Sequence, residues 1–128
     1  MSVELTMLLY STILFFVLIM IPAGEAILKN GGAVQAGPRD NMPEPTVFNK
    51  RATRLRNNMM ENMVMFAPLV LIAHAAGVST ESTILGAQLF FYARVVHAVL
   101  YLFPVPWVRP LAWAVSVVGL FKIALALL

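Results

Sequence analysis

The stretch Arg51-Ala52-Thr53-Arg54-Leu55-Arg56-Asn57-Asn58-Met59-Met60-Glu61-Asn62 runs without a break into the apolar segment 63–78. It reads as the entry of a transmembrane helix. On a helix, Arg51, Arg54, Asn58 and Glu61 follow one another at spacings of three, four and three, and so share one stripe. Charges and amides on such a stripe are too costly to face hydrocarbon. They must face other helices or a wet polar pocket. Arg94, His97 and Tyr101 repeat the three-then-four spacing in a second apolar segment. The two stripes are expected to meet, with Glu61 as the natural counter-charge for Arg94.

Composition supports a membrane setting. Hydrophobic residues make up 60% of the 128-residue chain and charged residues 12%, which departs from a soluble domain in the membrane direction. Mean hydropathy is +0.83. The net charge of +3 does not point to nucleic acid, because the basic residues gather at 50–56 beside an apolar run. There is no cysteine, so disulfides, thiolate nucleophiles and Cys-ligated metals are excluded.

Outward from the central stretch, the expected architecture is an all-α membrane protein, a single domain 1–128 forming a four-helix transmembrane bundle. The spans are placed at 5–28, 57–78, 84–103 and 110–128, with a cytoplasmic loop at 29–50. The first run holds only Thr6, Ser11 and Thr12 as polar interruptions, hydroxyls that can bond back to the helix. Glu4 is the only charge before it, so the run reads as a retained helix rather than a signal peptide. Pro22 and Pro68 lie inside spans, where proline is tolerated. The loop is rich in breakers, from Gly31-Gly32 to Pro45. Gly77 marks the end of the second span, Pro104-Val105-Pro106 ends the third, and Trp107 suits an interface. Ala112, Ser116 and Gly119 form a small-residue face that lets helices approach closely. Lysine and arginine crowd the first and third connections. The positive-inside rule then puts both termini outside and opens the polar stripes toward the cytoplasm.

Each polar residue has a bland and a functional reading. Glu61 with Arg94 is either an ion pair that orients two helices or part of a pocket for a charged ligand. His97 has no second ligand at metal spacing beside it, which leaves a general base or a satisfied core histidine; no metal is expected. His74 has no assigned role. Lys122 reads as snorkelling. Tyr101 is a belt residue or a hydroxyl donor. Arg109 faces headgroups, or else binds a carboxylate and lowers a thiol's pKa. With no Walker, GxGxxG or HExxH motif, any chemistry belongs to a bound cosubstrate.

The run 51–61 resembles the second-helix signature of the MAPEG family, the membrane-associated proteins of eicosanoid and glutathione metabolism. Pro38-Arg39-Asp40-Asn41-Met42-Pro43 is similar to the loop of bacterial members. Gly86-Ala87 and Ala93-Arg94-Val95-Val96-His97-Ala98-Val99-Leu100-Tyr101 resemble the third-helix signature. The resemblance implies a homotrimer in the bacterial inner membrane, with glutathione as cosubstrate at subunit interfaces near the cytoplasmic face. It implies glutathione contacts from Arg54, Asn58, Glu61, His97 and Tyr101, and Arg109 as the stabiliser of the thiolate. Arg94 joins the binding set as the buried cation beside them.

The sequence departs from that pattern at three places. Asn57 stands where the prostaglandin E synthase branch has arginine, Pro110 follows Arg109 where serine is usual, and Trp113 replaces a tyrosine of one branch. These argue against a specific eicosanoid synthase. The expected function is a glutathione-dependent transferase or peroxidase acting on lipophilic electrophiles. The alternatives are a non-catalytic MAPEG-like trimer, structural or binding another anion, and a small transporter.

Overall fold

The computed structural model describes all residues, Met1–Leu128. It is all-helical, with four long helices and one short one: α1 (Val3–Asn30), α2 (Gly32–Ala36), α3 (Val47–Ala75), α4 (Glu81–Leu102) and α5 (Val108–Leu127). Three of them, α1, α4 and α5, are long and apolar enough to cross a membrane. α3 has the length, but its first half carries the polar stretch 51–62.

Local chemistry sets the boundaries. Ser2 caps α1 by accepting from the Leu5 N–H at 3.2 Å. α1 then runs through Pro22 to Asn30, and Gly31 stops it at φ 89°. Thr12 Oγ1 donates to the Leu8 carbonyl at 2.8 Å, and Thr6 Oγ1 to that of Ser2 at 2.9 Å. Ser11 Oγ is buried and makes no such bond. α3 continues through Pro68 and stops at Gly77, which turns at φ 68° while the Val78 N–H reaches back to the Ala73 carbonyl at 2.9 Å. A reciprocal Thr80–Thr83 capping box opens α4.

The segment 29–50 is more ordered than its glycines and prolines suggest. It holds α2, and α3 begins inside it, ten residues before the expected position 57. The reason is a cap that composition hides. Thr46 accepts from the Asn49 N–H and donates to Glu25 Oε1 at 2.9 Å, while Asn49 Nδ2 donates to Glu25 Oε2 at 2.6 Å. Lys29 Nζ donates to the Glu44 carbonyl at 2.6 Å, and Lys50 pairs with the Glu44 carboxylate. The Lys50 hydrogen bond and charge hold the Glu44 carboxyl below its ordinary value.

The core lies where α1, α3, α4 and α5 converge. Phe66 and Phe90 stack there with centroids 3.9 Å apart, and Met7, Leu18, Met59 and Ile123 pack around them. α4 packs most extensively on α5. Their backbones cross at Gly86 and Gly119, where a Cβ on Gly119 would come within 2.5 Å of the Gly86 carbonyl oxygen. The face Ala112, Ser116 and Gly119 is buried, as its small side chains require.

Candidate functional site

Two apolar demands decide which polar groups turn inward. The buried stripe of α3 is Ala52, Leu55, Met59, Asn62, Met63, Phe66, Val70 and Ala73. It lies one residue around the helix from the stripe Arg54–Asn58–Glu61. Asn58 therefore sits at the border, half-buried, while Arg54 and Glu61 are exposed on the surface of the single chain. On α4 the buried stripe Ala87, Phe90, Ala93, Arg94, His97 and Ala98 carries two polar residues inside with it.

Arg94 is 1% exposed. Its Nη2 donates to Asn58 Oδ1 at 2.7 Å, and its Nε and Nη1 find no partner. The expected Glu61–Arg94 ion pair is not formed, because Lys50–Glu44 is the only ion pair in the chain. An amide takes the place of the carboxylate: Leu55 and Met59 claim the core, and Glu61 is rotated outward with Arg54. The two stripes do meet, but through Asn58 alone. Asn62, to which no role was given from sequence, supports that contact by donating from Nδ2 to the Asn58 carbonyl at 2.8 Å. Its four-residue spacing from Asn58 was the available signal.

One turn further along α4, His97 is buried and its ring lies 5.5 Å from that of Tyr101. The chain then breaks at Pro104–Pro106 and turns through Trp107 at φ 72°. That turn brings Arg109, at the start of α5, back over the end of α4. Its guanidinium carbon stands 4.5 Å above the Tyr101 ring centroid. Asn58, His97, Tyr101, Arg109, Pro110 and Trp113 together line a pocket of about 270 Å³.

The pocket has a guanidinium, an amide, an imidazole and a phenol, and no carboxylate on its walls. Such a donor set receives an anion. No group of three His, Cys, Asp or Glu side chains converges to hold a metal. A larger cavity of about 550 Å³ lies along α4 and α5 between Leu85 and Val115, and its only polar groups are the Gln88 amide and the Tyr92 hydroxyl. It has no charged side chain on its walls.

Of the seven residues singled out from sequence, Asn58, His97, Tyr101 and Arg109 line the pocket, and Arg94 lies behind it on Asn58. Arg54 and Glu61 face away from the bundle core. Pro110 and Trp113, noted only as departures from a pattern, are also pocket walls.

No curated relative and no solved structure matches the chain. The model of the MAPEG family matches residues 7–128, a stretch that contains every helix of the bundle but the first turn and all the pocket residues. An integral membrane protein of this architecture, matched over nearly its whole length, belongs to the MAPEG family.

Proposed function

We propose that this chain is a membrane glutathione-dependent transferase or peroxidase acting on lipophilic electrophiles. The observation that carries the reading is the cation-lined pocket at one end of the bundle, with Arg109 poised over Tyr101 at 4.5 Å. Glutathione carries two carboxylates, an ammonium and a thiol. Arg109, Asn58, Tyr101 and His97 offer donors to its anionic groups, and the outward Glu61 offers a carboxylate to its ammonium. Arg109 is the group assigned to the thiolate, because a fixed guanidinium favours the ionised sulfur. The lipophilic partner would arrive from the bilayer.

The same residues support self-association, which the family resemblance makes a homotrimer. A pocket of about 270 Å³ falls just short of the range of about 300–1,000 Å³ usual for small-molecule sites. Arg54 and Glu61 stand exposed on a helix of the bundle, where lipid is a poor neighbour for charge. A second copy packed on that face of α3 would cover both and enlarge the pocket.

The test is calorimetric titration of the detergent-solubilised protein with glutathione, paired with thermal unfolding. Heat of binding and a raised melting temperature at millimolar ligand are expected. No heat and no stabilisation would overturn the reading. Substrate or proton flux in proteoliposomes would favour a transporter instead.

One observation favours binding without turnover. Pro110 lines the pocket beside Arg109, so Tyr101 is the only hydroxyl on its walls. If glutathione binds and its thiol titrates as it does in water, the non-catalytic reading stands.

A further inference from the structure

The end of the bundle opposite the Arg109 pocket holds a second polar site. Glu4, in the first turn of α1, is 3% exposed. Its Oε1 accepts from Ser79 Oγ at 2.9 Å and from Thr83 Oγ1 at 2.5 Å. Its Oε2 is buried with no partner. No lysine, arginine or histidine pairs with it; Lys122, on α5 toward the same end, makes no ion pair either. Two hydroxyls orient a carboxylate but do not neutralise it, and a charge taken out of water without a counter-charge is costly.

Glu4 forms part of the wall of a cavity of about 300 Å³. Ser2, Ser79 and His74 add polar groups to that wall, and Val70 and Ala73 give it an apolar side. One carboxylate and one imidazole are too few ligands for a metal ion, and no group of three metal-binding side chains exists here. A primary ammonium suits the set. Its three N–H groups match the unpartnered carboxylate oxygen and two serine hydroxyls, and its carbon chain matches Val70 and Ala73. The location agrees, since the start of α1 and the α3–α4 connection lie at a helix end, the level of lipid headgroups. The charge also agrees. This end carries Glu4 and Glu81 against the one lysine Lys122, whereas Lys29, Arg39 and the cluster 50–56 lie at the other.

We propose that the Glu4 cavity binds a primary ammonium group, supplied by an aminophospholipid headgroup or by a soluble amine. The site is separate from the glutathione reading and stands or falls without it. Glu4 completes the recognition. Ser79 and Thr83 hold its Oε1, and Oε2, buried without a partner, gains one when the ammonium enters.

The experiment uses the full chain in nanodiscs of phosphatidylcholine containing phosphatidylethanolamine, followed by detergent extraction and native mass spectrometry. The wild type is expected to retain about one phosphatidylethanolamine per chain and no phosphatidylcholine, and Glu4→Gln to retain at least about tenfold less. A second arm measures thermal unfolding in pure phosphatidylcholine with added ethanolamine or choline. Stabilisation by ethanolamine alone, without retained phosphatidylethanolamine, assigns the site to a soluble amine. If the wild type prefers a primary ammonium in neither arm, the proposal is overturned. It is equally overturned if Glu4→Gln keeps the preference unchanged. The headgroup comparison needs only the wild type, so poor folding of Glu4→Gln does not shelter the idea.

Discussion

The Arg109 guanidinium lies 4.5 Å over the face of the Tyr101 ring. The contact spans the break between α4 and α5, so the ring, more than the hydroxyl, fixes where the cation stands. A cation over an aromatic face is worth about 0.5–2 kcal/mol, depending on how dry the site is. Tyr101→Phe keeps the face and is expected to hold glutathione within about threefold of wild type. Tyr101→Leu removes the face and should weaken binding by about three- to tenfold. Titration calorimetry on the two variants separates ring from hydroxyl. Equal losses in both would assign the role to the hydroxyl.

Asn58 is the only hydrogen-bond partner of the buried Arg94 guanidinium. Asn58→Ala strands that charge, and a hydrogen bond to a charged group is worth about 1.5–3 kcal/mol. Unfolding in detergent should show a loss of that size. Replacing both residues by apolar ones of similar size, Asn58→Leu with Arg94→Met, should cost less than the two single changes added together. Strict additivity would mean that the two side chains are not coupled.

The all-helical membrane character of the chain was legible in the run 51–62 and in the apolar spacing on either side of it, although three helices rather than four are apolar enough to span. Two polar stripes entering hydrocarbon required facing helices, and Asn58 does meet Arg94. Which member of the stripe would turn inward was not legible. A stripe's edge is decided by the neighbouring apolar residues, here Leu55 and Met59, and periodicity does not say which of two adjacent stripes wins the core. Glu4 was passed over for a related reason. Near the start of a helix it reads as a boundary charge, and its partners Ser79 and Thr83 lie far away in sequence. The early start of α3 was hidden because the Thr46 hydroxyl that caps it is held in turn by Glu25, twenty-one residues back, and breaker residues crowd the segment before it.

The α4–α5 crossing tolerates no side chain at its centre. A Cβ on Gly119 would meet the Gly86 carbonyl oxygen at 2.5 Å, and one on Gly86 would meet the Gly119 oxygen at 2.7 Å. Both contacts are with backbone, so relief requires the helices to separate. Gly119→Ala should destabilise the protein by about 1–3 kcal/mol. Gly24→Ala, with nothing within 4 Å, serves as the control and should be neutral or mildly stabilising, by up to about 1 kcal/mol. Thermal unfolding ranks the two. A Gly119→Ala protein as stable as the Gly24→Ala one would contradict the close crossing.

The loop before α3 is latched by Glu44, whose carboxyl is held below its ordinary value by the Lys50 hydrogen bond and charge. A depressed carboxylate pKa gives stability that is full above the unfolded value and is lost as pH falls through the folded one. Amide exchange at Asn49 and Lys50, whose N–H groups bond to Thr46 at the start of α3, corrected for intrinsic rates, should therefore speed up as pH drops into and below the carboxylate range. Glu44→Gln should show the faster exchange at every pH. A wild-type loop with pH-independent protection would leave the latch without a role.

The most direct measurement is a pH titration of thiolate absorbance for glutathione bound to the wild type and to Arg109→Ala. Free thiols ionise near about pH 8.5, and a neighbouring guanidinium lowers that value. The bound thiol should titrate at least about one pH unit lower in the wild type, and Arg109→Ala should bind glutathione measurably but return its thiol toward the free value. A bound thiol that ionises at the same pH with and without Arg109 would contradict the assignment.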